Sequence, residues 1–295
     1  MSNPEISVII TTYKRKPDML RRAVKSVLLQ SFEDIELIVV DDNVPSQRAI
    51  MAVRDTVESF SDDRVSYCTN ERKKGACGAR NTGITKARGK YIAFLDDDDE
   101  FCSDKLLKMH DALKDSDAGM VVSDFYKKDD ESDKIKSVLL KYDEDDIRYG
   151  MLCGNHIGAS NPLIKKECFD MCGMFDEDML SAQDLELWCR IAEKYRIKIL
   201  HECLTIWHVH EGDSITKHPQ NKLASNQKLI EKNFDFLKGH PRAHAHLLLI
   251  QSKRCIQMQD KKAAFKKYGQ ALSIYPLYIL KKTPLFFAWF IKYRK

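Results

Sequence analysis

Four consecutive aspartates, Asp96–Asp99, follow directly on the apolar run Tyr91–Leu95 (YIAFL). Adjacent carboxylates repel one another, and a buried strand end is a costly place to leave them uncompensated. A hard divalent cation offsets that repulsion, because Mg2+ or Mn2+ takes oxygen ligands and keeps positions open for phosphate oxygens. The same run also suits a solvated acidic turn ahead of the helix expected near Asp104. Its place after a wholly apolar strand gives the cation reading equal standing, since ligands of open α/β sheets bind just beyond the carboxyl ends of strands. A second carboxylate pair, Asp41-Asp42, ends the apolar run Glu36–Val40. Alone it reads as a strand-to-turn signal with Asn43 and Pro45. Two acidic rims in one sheet point to a single cleft.

The elements that must hold these residues alternate. Ile6–Ile10 (ISVII), Glu36–Val40 (ELIVV), Val65–Cys68 and Tyr91–Leu95 read as strands, the apolar β-branched ones as strands buried on both faces. Pro17 opens a helical pattern carried by Leu20, Val24, Val27 and Leu28, and another helix is expected over about 78–87. Such alternation with short connections predicts a parallel α/β sheet. Further on come a helix at 104–113, a strand at 119–123, helical patterning from Leu163 and notably over 184–195, and a strand at 197–200. Residues 127–146 are acidic and weakly periodic and read as a mobile surface loop. The expected boundary lies near 216, with a helical, basic remainder.

The 295 residues, 43% apolar and 31% charged, suffice for one large domain with an appendage. A net charge of +4 gives no electrostatic ground for a nucleic-acid binder. The nine cysteines form no CxxC pair, and the N-terminus does not read as a signal peptide, so reduced cytosolic thiols are expected. Cys168 and Cys172 suit packing better than zinc. The longest apolar run, Pro284–Ile291, is too short to span a bilayer.

Four segments taken together (ISVIITTYKR, SVLLQSFEDIELIVVDDN, GARNTGITKARGKYIAFLDDDD and SAQDLELWCRIA) resemble the inverting family-2 glycosyltransferases over roughly residues 5–215. The resemblance implies a GT-A fold, a Rossmann-like mixed sheet flanked by helices, over 1–215, with 216–295 as a helical appendage. It also implies an inverting transfer from a nucleotide-sugar, UDP-linked, to a hydroxyl of a glycan or polyprenyl-diphosphate-linked acceptor, as in bacterial capsule, O-antigen or exopolysaccharide synthesis.

Residue roles follow from the same resemblance. Thr11, Tyr13 and Asp41 correspond to the nucleotide pocket, with Tyr13 stacking on uracil and Asp41 accepting from the pyrimidine N3–H. Arg80 approaches the diphosphate or the acidic motif, on a loop that Gly75 and Gly78 let come close. Asp96 and Asp98 form the DxD motif: Asp96 contacts sugar or ribose hydroxyls, Asp97 lies between on the donor side, Asp98 binds Mn2+ or Mg2+, and Asp99 supports them. Asp184 aligns with the catalytic base; as a first-turn residue it is stabilised in ionised form, although Asp is also an ordinary helix opener. Here Gln183 replaces a frequent glutamate. His208 and His210, two apart on an extended segment, share a face. His210 stands where a metal or diphosphate ligand is frequent, and His208 where an arginine is. Asn155, His156 and Asn161 are candidates for the acceptor side.

The C-terminus, YPLYILKKTPLFFAWFIKYRK, interleaves aromatics and cations. This suits peripheral contact through 275–295 with the inner face of the cytoplasmic membrane, or a helix docked on the chain's own core. Two rival functions fit the residues less well. A non-catalytic nucleotide-sugar-binding module leaves Asp184 without a purpose, and a dehydrogenase needs a GxGxxG turn where TTYKRK stands.

Overall fold

A computed structural model describes residues 3–154, 156–210 and 218–293. In chain order the elements are β1 (Ile6–Thr12), α1 (Pro17–Leu28), β2 (Ile35–Asp41), α2 (Gln47–Glu58), β3 (Val65–Thr69), α3 (Ala76–Lys86), β4 (Tyr91–Asp96), β5 (Glu100–Phe101), α4 (Lys105–Leu113), β6 (Met120–Asp129), β7 (Ile135–Val138), α5 (Ile147–Cys153), β8 (Leu163–Lys165), α6 (Glu167–Cys172), α7 (Gln183–Lys194), β9 (Ile197–Val209), α8 (Pro219–Lys232), α9 (Phe234–Gly239), α10 (Pro241–Gln257), α11 (Lys261–Ile274) and α12 (Pro276–Lys292).

The strands form one mixed sheet in the order β3-β2-β1-β4-β8-β6-β9-β5, with β7 added against β6. Strands β3, β2, β1 and β4 run parallel, as the apolar runs predict. Strand β8 turns the sheet mixed, because it pairs antiparallel to both β4 and β6. Helix α1 covers the parallel half with Leu20, Ala23, Val24 and Val27, the apolar stripe of its sequence. The core of this half joins those residues to Val8, Ile10, Leu37, Val39, Ala93 and Leu95.

Two expectations are corrected. Residues 127–146 are not an unstructured excursion: β6 continues to Asp129 and returns as β7, in register Tyr126↔Ser137. The Asp129 carboxylate closes the turn by accepting from the Ser132 amide at 2.8 Å and its hydroxyl at 2.9 Å. Strand β7 is almost wholly exposed, so no apolar alternation announces it. Leu163–Lys165 is a strand rather than the start of helical patterning, and three residues are too few to show a period.

The chain divides into two compact units. The first comprises 1–147, 156–177 and 187–211 and contains the whole sheet; the second comprises 148–155, 178–186 and 212–295. Helix α7 therefore begins in the second unit and ends in the first. All nine cysteines are free thiols. Among the described residues, no helix is long and apolar enough to cross a membrane.

Candidate active site

Strand register assembles the site within the first unit. Strand β1 lies between β2 and β4, and Thr11 is level with Val40 on one side and Asp96 on the other. Thr12 is level with Asp41. The carboxyl ends of three parallel strands thus bring Thr11, Asp41 and Asp96 to one rim. Beyond β4 the chain turns back, with the Asp99 amide donating to the Asp96 carbonyl at 3.0 Å. The two-residue strand β5 follows at once and pairs with β9, Glu100 opposite Ile206 and Phe101 opposite Thr205. That short pairing carries the far end of β9, with His208 and His210, back to the acidic turn.

The turn is neutralised from several directions. The Arg15 guanidinium bridges Asp97 at 2.7 Å and Asp98 at 2.9 Å. His210 Nε2 lies 2.9 Å from the same Asp98 oxygen, Oδ2. Arg80, on α3 and nearly buried, donates to Asp96 at 2.8 Å with its guanidinium over the Phe175 ring. Arg22 donates to the Asp98 carbonyl at 2.7 Å. Asp99 is held by the Ser160 hydroxyl at 2.8 Å and the His208 amide at 3.2 Å. These partners do not offset the cost of burying the carboxylates. Burial pushes Asp97 up to about 6 against the pull of Arg15. Burial, then Asp96 and Asp98, hold Asp99 well above the usual carboxylate range.

On the nucleotide side, Tyr13 presents an exposed ring with the Lys14 and Lys74 ammonium groups 5.2 and 5.0 Å from its centroid. Asp41 is fully buried and turned inward. Its Oδ1 accepts from the Asn43 amide and side chain at 2.8 and 2.7 Å, and its Oδ2 from the Tyr67 hydroxyl at 2.9 Å. Burial and then that carboxylate push the Tyr67 ionisation up, so the hydroxyl stays a donor. Gly75 adopts φ +128, a conformation open to glycine, and its amide donates to Asp42 at 2.9 Å. At Gly78 a Cβ would meet the Lys73 carbonyl oxygen at 1.9 Å, so this turn closes only around glycine.

The other expected residues lie on other elements. Asp184 lies in the first turn of α7, in the second unit, and accepts from the Leu185 amide at 2.8 Å. Asn161 is fully buried: its side chain bonds the Gly158 amide and the Ser123 carbonyl, so it braces a turn rather than facing an acceptor. His156 is exposed, and its amide donates to the Tyr142 hydroxyl. Asn155 lies outside the described residues.

Several residues escaped the sequence reading. Arg15 stands in the quoted TTYKR segment without a role, and only the fold shows that it spans two aspartates. Ser160 and Lys105 gave no motif. Lys105 is fully buried with Nζ donating to the Asn161 carbonyl at 2.8 Å and the Thr205 hydroxyl at 2.9 Å, which braces the turn that presents Ser160. His208 is clamped between Glu100, at 2.8 Å, and Asp130. Burial lowers its pKa but the two carboxylates outweigh burial, and the net shift is upward.

A mixed sheet flanked by helices, with a parallel half that ends in an acidic rim, is the GT-A fold. Residues 7–176, more than half of the chain, match the family model described as Glycosyl transferase family 2, and the chain belongs to that family. One curated relative, a GalNAc(5)-diNAcBac-PP-undecaprenol beta-1,3-glucosyltransferase of Campylobacter jejuni, is 28% identical over 217 residues, covering 72% of this chain and 67% of its own. Among solved structures, Staphylococcus aureus TarS 1–349 in complex with UDP-GlcNAc superposes with a TM-score of 0.64 at 16% identity, covering 92% of each chain. A mannosyltransferase of Pyrobaculum calidifontis in complex with GDP-Man and Mn2+ gives 0.63 at 19% identity, covering 99% of this chain and 83% of its own. At such identities the two structures speak to the fold.

Proposed function

We propose that the chain is an inverting glycosyltransferase that moves a sugar from a UDP-sugar to a hydroxyl of a glycan or polyprenyl-diphosphate-linked acceptor in bacterial surface polysaccharide synthesis. The observation that carries this reading is the convergence of Asp96, Asp97 and Asp98 with Arg15, Arg80 and His210 at the carboxyl rim of β1 and β4. A cluster of acids and cations at a strand end suits a ligand that is anionic and metal-bound, which a nucleoside diphosphate is. The lipid-linked acceptor is supported by the relative whose name specifies a diphosphoundecaprenol substrate. The UDP donor is supported by the TarS complex. The setting is the cytoplasm, with peripheral contact at the inner face of the membrane.

The residues present fit a divalent ion. Asp98 and His210, already in contact at 2.9 Å, are the oxygen and nitrogen donors that would hold it. Among the described residues no group of three or more His, Cys, Asp or Glu is arranged to hold a metal, and the donor's diphosphate would have to supply further oxygens. Burial first, and the neighbouring aspartates after it, raise Asp97 and Asp99, and a bound cation would oppose both effects. When bound, Mn2+ or Mg2+ supplies charge neutralisation for the departing diphosphate.

This chain's own residues do the rest. Tyr13 offers its face to the uracil and Thr11 lines the same pocket, while the fully buried Asp41 holds Asn43 and Tyr67 in place instead of accepting from the pyrimidine N3–H. Gly75 and Gly78 let the α3 turn approach the diphosphate, and Arg80 orients Asp96 toward sugar and ribose hydroxyls. Asp184 takes the proton from the acceptor hydroxyl, a role that typically contributes ~10²–10⁴-fold. A thermal-shift and hydrolysis panel of UDP-, GDP- and dTDP-sugars tests the reading. A UDP-sugar should stabilise the protein and be slowly hydrolysed only with Mn2+ or Mg2+; stabilisation by none of the nucleotide sugars under either condition would overturn it.

A further inference from the structure

Helix α12 (Pro276–Lys292) carries two unlike apolar faces. One is packed within its own unit: Ile279 and Phe286 are buried, Phe286 stacks on Tyr268 with ring centroids 4.1 Å apart, and the Tyr278 hydroxyl meets His246 Nδ1 at 2.7 Å. The other is open. Leu277, Leu280, Phe287 and Ile291 are 73%, 56%, 53% and 75% exposed. With the exposed Pro284 they recur at alternating steps of three and four residues, which holds them to a single stripe separate from the buried face. A continuous exposed stripe of large apolar side chains marks an interaction surface.

Charge selects the partner. From Lys261 to Lys295 the sequence holds nine Lys or Arg and no Asp or Glu. Lys281 and Lys292 both border one edge of the stripe by helical spacing. A second copy would set lysines against lysines, without the mixed charges that lock paired helices together. An anionic lipid surface satisfies both features, because it accepts apolar side chains at the acyl boundary and attracts cations to its headgroups.

We propose that α12 is an in-plane docking helix for an anionic phospholipid surface, with Leu277, Leu280, Phe287 and Ile291 at the acyl boundary and Lys281 and Lys292 at the phosphates. Such docking deepens the lipid-linked acceptor reading, on which its purpose rests, by naming where the chain meets the lipid.

Flotation of the full-length chain with vesicles of phosphatidylcholine, alone or mixed with phosphatidylglycerol, tests it. The wild type should float with the anionic vesicles and be released by salt. A Leu277→Glu/Phe287→Glu variant should lose at least about tenfold in partitioning. Both positions are exposed, so its melting curve and its metal-dependent UDP-sugar hydrolysis in solution should be unchanged. That readout separates failure of docking from failure of the glycosyltransferase reading. Lys281→Glu/Lys292→Glu should weaken binding to anionic vesicles only. Equal partitioning of the wild type and Leu277→Glu/Phe287→Glu would overturn the proposal. So would concentration-dependent self-association that the same pair abolishes, since a second copy would then cover the stripe.

Discussion

His210 Nε2 lies 2.9 Å from Asp98 Oδ2 although 112 residues separate the two in sequence. The link is made by β5, two residues long, which pairs the segment after the acidic turn with the far part of β9. Replacing Asp98 with Asn should therefore weaken the response to Mn2+ more than it weakens folding. The expected result is a loss of about 10²-fold or more in metal-stimulated hydrolysis of the donor, with a melting temperature close to that of the wild type. Titration of the melting temperature with Mn2+, beside the hydrolysis assay, reads both quantities.

Arg15 bridges Asp97 and Asp98, and Asp97 is nearly buried. Arg15→Met leaves that carboxylate without its ion-pair partner, a change expected to cost about 3 kcal/mol. If the ion and Arg15 neutralise the same carboxylates, Mn2+ should raise the melting temperature of the variant by more than it raises that of the wild type. Equal metal-induced shifts would show that Arg15 and the ion do not serve the same carboxylates.

Lys105 is fully buried against two neutral acceptors, and desolvation lowers its pKa to about 7. The unfolded chain takes up this proton below about 10.4, whereas the folded chain resists until near 7. Stability from this site is therefore present at high pH and lost as pH falls toward 7, by up to about 5 kcal/mol. Lys105→Met should flatten the difference in unfolding free energy between pH 7 and pH 9. Chemical denaturation at the two pH values measures it.

A second window belongs to the helical unit. Burial, reinforced by Lys282 and Arg242, lowers His246 to about 4, while the unfolded imidazole titrates near 6.5. Stability is present above 6.5 and lost as pH falls from there toward 4, by about 2 kcal/mol after allowing for partial exposure. In His246→Gln that part of the acid destabilisation should disappear, as read from melting temperatures between pH 7 and pH 4.

Much of this arrangement is visible in the residues alone. Strands β1, β2 and β4 are buried on both faces, so each appears as a mainly apolar run, interrupted in β1 and β2 by the buried Ser7–Glu36 pair, and the aspartates that end two of them mark the rim. What neutralises those aspartates is not visible. Arg15 and Arg22 reach the turn from the approach to α1 and from α1 itself, and their charges look like ordinary surface cations until the helix is docked. The inward turn of Asp41 depends on Tyr67, from the neighbouring strand β3, and on the local conformation of Asn43. The β6–β7 hairpin is solvated along β7 and leaves no alternation to read.

Release of nucleoside diphosphate from a UDP-sugar in the presence of Mn2+ and acceptor, compared between the wild type and Asp184→Asn, tests the glycosyltransferase assignment most directly. The wild type should turn over, and the variant should lose about 10²–10⁴-fold in rate while binding the donor with unchanged affinity. Turnover by Asp184→Asn near the wild-type rate, or a wild type that binds the donor without turning it over, would contradict it.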